Sequence, residues 1–153
     1  MPEAVLAPVL YVEDEEDDVV LLKIAFKRVG IDHPLRIATD GKDALDYLFV
    51  RDGHSGAAAT PPPCLMLLDL NLPQLSGFEV LQQLRRSPEF ADLPVIIFSS
   101  SKQASDQARA RSLGADEFIV KPPDMDGLVG FARMLRERWL VRCKGANHSA
   151  AGE

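Results

Sequence analysis

What most constrains this chain is a rhythm. Short apolar runs at 9–12, 35–38, 65–68, 95–98 and 118–120 alternate with stretches of helical character at 19–29, 42–50, 77–86, 105–113 and 125–141. Strands separated by a helix return to the sheet in the same direction, because only a crossover of that length can join parallel neighbours. The alternation therefore predicts an α/β fold with a parallel sheet. The third and fourth runs, "LMLL" and "VIIF", are apolar at every position. That pattern belongs to central strands covered by helices on both faces, a doubly wound arrangement.

The punctuation agrees. Gly30, Gly53 and Gly114 follow helical stretches and suit helix C-termini, and Asp40 suits an N-terminal cap. Residues 52–64 are rich in Gly, Ala and Pro and read as an extended surface connection. With 153 residues, 46% apolar and 26% charged, one folded domain over 9–142 is expected. An N-terminal tail at 1–8 and a flexible C-terminal tail at 143–153 complete the organisation.

Composition narrows the function classes. A net charge of −6 argues against a nucleic-acid or anionic-membrane partner. No run approaches the roughly 18 apolar residues of a membrane span. The two cysteines, Cys64 and Cys143, form no CxxC pair. That fits a reducing compartment and gives no zinc site, with Cys64 read as core. A cytoplasmic protein is expected.

In open parallel sheets, function gathers where the strands end. Glu13 and Asp14 follow the first run, Asp69 the third, Ser99 the fourth and Lys121 the fifth. Three converging acids call for a cation, and all-oxygen ligands suit Mg²⁺. A cation, an ammonium and a hydroxyl around one carboxylate make a receptor for a phosphoryl group, with Asp69 as the nucleophile. Asp17 and Asp18 read as acids of a helix first turn, outside the site.

The motifs "VEDE", "LLDLNLPQLSG", "VIIFSSS" and "FIVKP", in this order, resemble the receiver domains of CheY-like response regulators over residues 9 to about 141. The resemblance implies a five-stranded sheet in the flavodoxin-like order 2-1-3-4-5. It implies Asp69 as phosphoacceptor. Asp14 and Asp69 would bind Mg²⁺ directly, Glu13 through water, and Asn71 by its main-chain carbonyl. Ser99 and Lys121 would hold the phosphoryl group, and Phe118 takes an aromatic switch position often filled by Tyr. Pro122 would follow Lys121 through a cis peptide bond. The chain would be a signalling domain with self-directed phosphotransfer and autodephosphorylation, not an enzyme acting on other molecules.

Other α/β readings fit less well. A phosphatase with an Asp nucleophile needs a second acid two residues on, where this chain has Asn71. A nucleotide-binding module needs a glycine-rich loop where Glu13 and Asp14 stand. A receiver-like protein that is never phosphorylated usually lacks a site residue, and here all are present.

Two helices carry surplus apolar residues. On the first, Val19, Leu22, Phe26 and Val29 form one stripe, leaving Val20, Leu21 and Ile24 for helix packing or for docking a histidine kinase. On the last, Met125, Leu128, Val129, Ala132, Leu135 and Trp139 form the core stripe. Phe131, Met134 and Val141 are left over and point to a homodimer face. "LLDLNLP", the preceding Pro-rich loop and the ending "RERWLV" resemble receivers that serve phytochrome-type histidine kinases. That resemblance implies a phytochrome partner and a homodimer through the C-terminal region.

Overall fold

Every apolar run forms a strand: β1 (Val9–Val12), β2 (Leu35–Ala38), β3 (Leu65–Leu68), β4 (Val95–Ser99) and β5 (Glu117–Val120). The helices are α1 (Glu16–Val29), α2 (Gly41–Val50), α3 (Gly77–Arg86), α4 (Ala104–Ser112) and α5 (Met125–Met134). This computed structural model describes residues 6–50, except the side chain of Val50, and 62–143. The expected Pro-rich loop lies mostly outside the described residues. So do most of the two tails and Gly53.

All strand pairs are parallel, and the sheet order is β2-β1-β3-β4-β5. Alternation along each strand divides the core into two layers. Val9, Tyr11, Leu65, Leu67, Ile96 and Phe98 face α1 and α5. Leu10, Val12, Met66, Leu68, Val95 and Ile97 face the layer that holds α2 and α3. β1, β3 and β4 are buried at every position, whereas the edge strand β5 is only half-buried. Gly30 ends α1 at φ 84°, a left-handed conformation that glycine adopts without a Cβ penalty. Asp40 Oδ1 accepts the Asp43 amide at 2.7 Å, as an N-terminal cap should.

The C-terminal helix departs from the expected single run. After Met134 the backbone widens into a π-helical segment, Leu135–Trp139, and tightens into a 3₁₀ turn, Leu140–Arg142. Phe131, expected on a dimer face, is buried and stacks on Phe98 at 4.2 Å between centroids. The reason is that α5 packs on both α1 and the sheet, so its buried arc is wider than one stripe. Met134 is half-buried against the same core, and Val141 is 61% exposed.

Cys64 and Cys143 are joined in a disulfide with Cα atoms 5.4 Å apart. The expectation of unpaired cysteines does not match the structure. The start of β3 and the end of the C-terminal segment meet at one edge of the sheet, bringing residues 79 apart into bonding range. Cys143, expected in the flexible tail, is buried with the α1/α5 layer.

Candidate functional site

The carboxyl edge of the sheet is built by short-range rules. The Glu13 amide donates to Ala38 O at 2.9 Å, extending the β1–β2 ladder by one step. This carries the Glu13 side chain inward, and the residue as a whole is 1% exposed. Its carboxylate accepts from Tyr11 Oη at 3.2 Å and from the Glu15 amide at 3.1 Å. Burial first, then the charge of Glu13, pushes the Tyr11 hydroxyl far above its ordinary range, so it stays a donor. Asp14, next in sequence, is exposed.

Asp69 leaves β3 with its amide donating to Val12 O at 3.2 Å, and it is 5% exposed. The "DLNLPQLSG" loop then turns sharply. Gln74 takes φ 67°, and the Leu75 amide closes on Pro73 O at 2.7 Å, a tight three-residue turn. Ser76 and Glu79 cap α3 reciprocally. The Gly77 amide returns to Leu70 O at 3.1 Å, and a Cβ at position 77 would run into the Asp69 carbonyl. Glycine is required there because α3 and the loop after β3 touch backbone to backbone.

Lys121 closes the site from β5. Its amide donates to Ser99 O at 2.8 Å. Its ammonium lies 2.5 Å from Glu13 Oε1, 2.8 Å from Asp18 Oδ2 and 3.7 Å from Asp69 Oδ2. Burial alone would lower the Lys121 pKa, but hydrogen bonds to Asp18 and Glu13 and the nearby charges outweigh it, and the net shift is upward. Asp69 is pushed up to about 6, chiefly by burial and further by Glu13, against the pull of Lys121. One lysine does not neutralise this many acids.

That excess is what a divalent cation would relieve. Carboxylate oxygens of Glu13, Asp14 and Asp69 lie within 4.8 Å of one another. Oxygens that close can reach one cation, directly or through a bridging water, given cation–oxygen distances of about 2.0–2.1 Å. The donors are all hard oxygens, and exposed Asp14 leaves one side open to water. The residues present fit a divalent metal.

A cavity of about 430 Å³ opens over these groups and is lined by Asp14, Asp69, Asn71 and Lys121, among others. The Asn71 amide lies 3.4 Å from Asp69 Oδ1. Ser99 is fully buried, and its hydroxyl accepts the Ser101 amide at 3.2 Å, whereas exposed Ser100 lines the cavity. Phe118 is half-buried against the α2/α3 layer. The Lys121–Pro122 bond is trans, since no cis peptide occurs among the described residues, and this corrects the expected cis form. Trans is favoured at X–Pro bonds by about 0.5–1 kcal/mol, and the chain reaches the carboxylates from that geometry. Asp18 was absent from the sequence-derived site. Its spacing marks a helix first turn, and nothing in the local sequence shows that Lys121 lies opposite.

Residues 9–133 match the family described as the response regulator receiver domain. Among curated relatives, the "Probable methanogenesis regulatory protein FilR2" of Methanothrix harundinacea is 34% identical over 86% of this chain and 83% of its own. "Response regulator Rcp1" of Synechocystis is 30% identical over 86% of this chain and 88% of its own. The crystal structure of Rcp1 in its Mn²⁺-bound form superposes with a TM-score of 0.77 at 29% identity, covering 91% of this chain and 98% of that one. The crystal structure of response regulator RPA3017, "in red light signaling of R. palustris", gives 0.81 at 35% identity, covering 88% of this chain and 94% of that one. Parallel order 2-1-3-4-5, acids at the ends of β1 and β3, a lysine at the end of β5 and these matches agree: the chain belongs to the response regulator receiver family.

Proposed function

We propose that Asp69 accepts a phosphoryl group from the phosphohistidine of a sensor kinase and later loses it to water. The observation that carries this is a buried carboxylate held opposite Lys121 among acids able to gather one cation. An Asp69 oxygen forms the new P–O bond as the P–N bond breaks, and the imidazole leaves with the electron pair. Water then attacks the acyl phosphate, releasing inorganic phosphate and restoring the carboxylate. Glu13, Asp14, Asp69 and the Asn71 carbonyl would hold Mg²⁺, which supplies charge neutralisation for the transferring oxygens. Lys121 stabilises the phosphoryl group, and Ser99 reaches it by leaving the Ser101 amide. Phe118 reports the change through its burial. The chain acts only on itself and is a signalling domain rather than a turnover enzyme. No described helix is long and apolar enough to cross a membrane.

Acetyl phosphate with Mg²⁺ should add one phosphoryl mass to the wild type and none to Asp69→Asn, read by intact mass spectrometry. No shift in the wild type, or an equal shift in the variant, overturns the reading.

The kinase would dock on α1 beside the acidic edge. Val20, Leu21 and Ile24 are 50%, 40% and 38% exposed there, a high apolar exposure next to the site. A phytochrome-type kinase is the proposed partner, supported by likeness to the cyanobacterial phytochrome response regulator RcpA (TM-score 0.79, 28% identity, covering 92% of this chain and 99% of that one), and phosphotransfer profiling against candidate kinases would test it. A homodimer through the C-terminal region would use Val141 and the exposed part of Met134. Sedimentation as a monomer at micromolar concentration, with and without acetyl phosphate, would count against it.

A further inference from the structure

Asp18 has no part in the reading above, yet it makes one of the two closest contacts to Lys121. It is the third residue of α1, and its Oδ2 lies 2.8 Å from Lys121 Nζ, against 3.7 Å from that ammonium to Asp69. An ammonium has three donors, and Glu13 and Asp18 take two of them. The two acids differ in freedom. The Glu13 side chain is 0% exposed and cannot leave for water, whereas the Asp18 side chain is 37% exposed and can.

We infer that Asp18 is a positioning residue that holds Lys121 in a resting place off the phosphoryl group. This rests on Asp69 being the phosphoacceptor. Phosphorylation replaces the single negative charge of the Asp69 carboxylate with a phosphoryl group of about −1.5 to −2 and sets strong acceptor oxygens beside the ammonium. Lys121 then turns from Asp18 to the phosphoryl group, while Glu13 keeps its own bond to the ammonium. The released Asp18 carboxylate stays in water at the start of a helix, where negative charge is favourable. Asp18 thus competes with the phosphoryl group for one cation and sets how readily Asp69 stays modified. Asp17 sits beside it on the same turn and is exposed, so it carries the same formal charge without this contact to Lys121.

The test is binding of beryllium fluoride, a phosphoryl mimic, in the presence of Mg²⁺, followed by ¹⁹F NMR on the full chain. Asp18→Asn should bind about threefold tighter than wild type, the scale of a partly exposed ion pair. Asp17→Asn should match wild type. Asp18→Glu, which keeps a carboxylate within reach, should also match it. A purely structural Asp18 would lower the unfolding midpoint and give no gain in affinity. Equal or weaker binding by Asp18→Asn, an equal gain in Asp17→Asn, or a gain in Asp18→Glu overturns the inference and leaves the phosphoacceptor reading standing. No binding by the wild type overturns both.

Discussion

The two ends of the sheet each hold a largely buried cation, and they use it in opposite ways. At the amino end, Arg85 is saturated. Nε and Nη2 donate to Gly114 O at 3.0 and 2.9 Å, Nη1 to Phe90 O and Leu93 O at 2.9 Å, and Nη2 to Asp116 at 3.1 Å. A guanidinium has five N–H donors, so none is left over. Asp116 also accepts the Val95 amide at 2.8 Å, tying α3, the start of β4 and the α4–β5 turn together. At the carboxyl end, Lys121 faces Glu13, Asp18 and Asp69, with Asp14 close by, and the charges do not cancel. A network whose groups are all satisfied gives one arrangement. A network short of positive charge has a place for a cation and for a change of partner.

The sharpest way to break this comparison is at Arg85. Arg85→Ala removes the charged donor from the Gly114, Phe90 and Leu93 carbonyls, leaves Asp116 with the Val95 amide alone, and should destabilise by about 3–5 kcal/mol in urea unfolding. Acetyl phosphate should still modify the folded fraction. A small loss would mean that the amino end is not the rigid one. Cys143→Ser comes next. Opening the cross-link should cost about 2–4 kcal/mol, and reductant should lower the wild-type midpoint while leaving the variant unchanged.

The carboxyl end should answer with the opposite sign. Asp69 has a folded-state pKa of about 6 against an ordinary 3.8, so the folded state holds its proton more tightly than the unfolded chain. The resulting contribution to metal-free stability is therefore lost as pH rises from about 4 to about 6. Asp69→Asn removes that slope and should stabilise the metal-free protein at neutral pH by about 1–3 kcal/mol. Mg²⁺ at about 100 times its dissociation constant should stabilise the wild type by about 2.7 kcal/mol and the variant far less. The smallest effect is at Trp139, whose indole donates to Glu117 Oε1 at 2.9 Å. Trp139→Phe should cost about 1 kcal/mol, read by the same unfolding curves.

Much of this was legible in one dimension. The five runs that predicted strands all form them, and the order of the sheet is the one the family resemblance implies. Val20, Leu21 and Ile24 are exposed while Val19, Leu22, Phe26 and Val29 are buried, as a period of 3.6 requires. Phe131 was misread because helical spacing marks one stripe, and α5 has two neighbours to cover. Asp18 was misread because a helix first turn explains an acid without reference to a lysine 103 residues away.

The sequence by itself determined the alternation of elements, the two-faced core and which residues stand at strand ends, since these follow from local periodicity and from where apolar runs stop. Only the tertiary structure decided which strand ends meet across the sheet. It brought Lys121 to Asp18 as well as to Asp69, joined Cys64 to Cys143 and turned Phe131 inward. The physical reason is that periodicity constrains neighbours along the chain. Contacts between distant residues depend on how whole elements pack, and no local pattern encodes that distance.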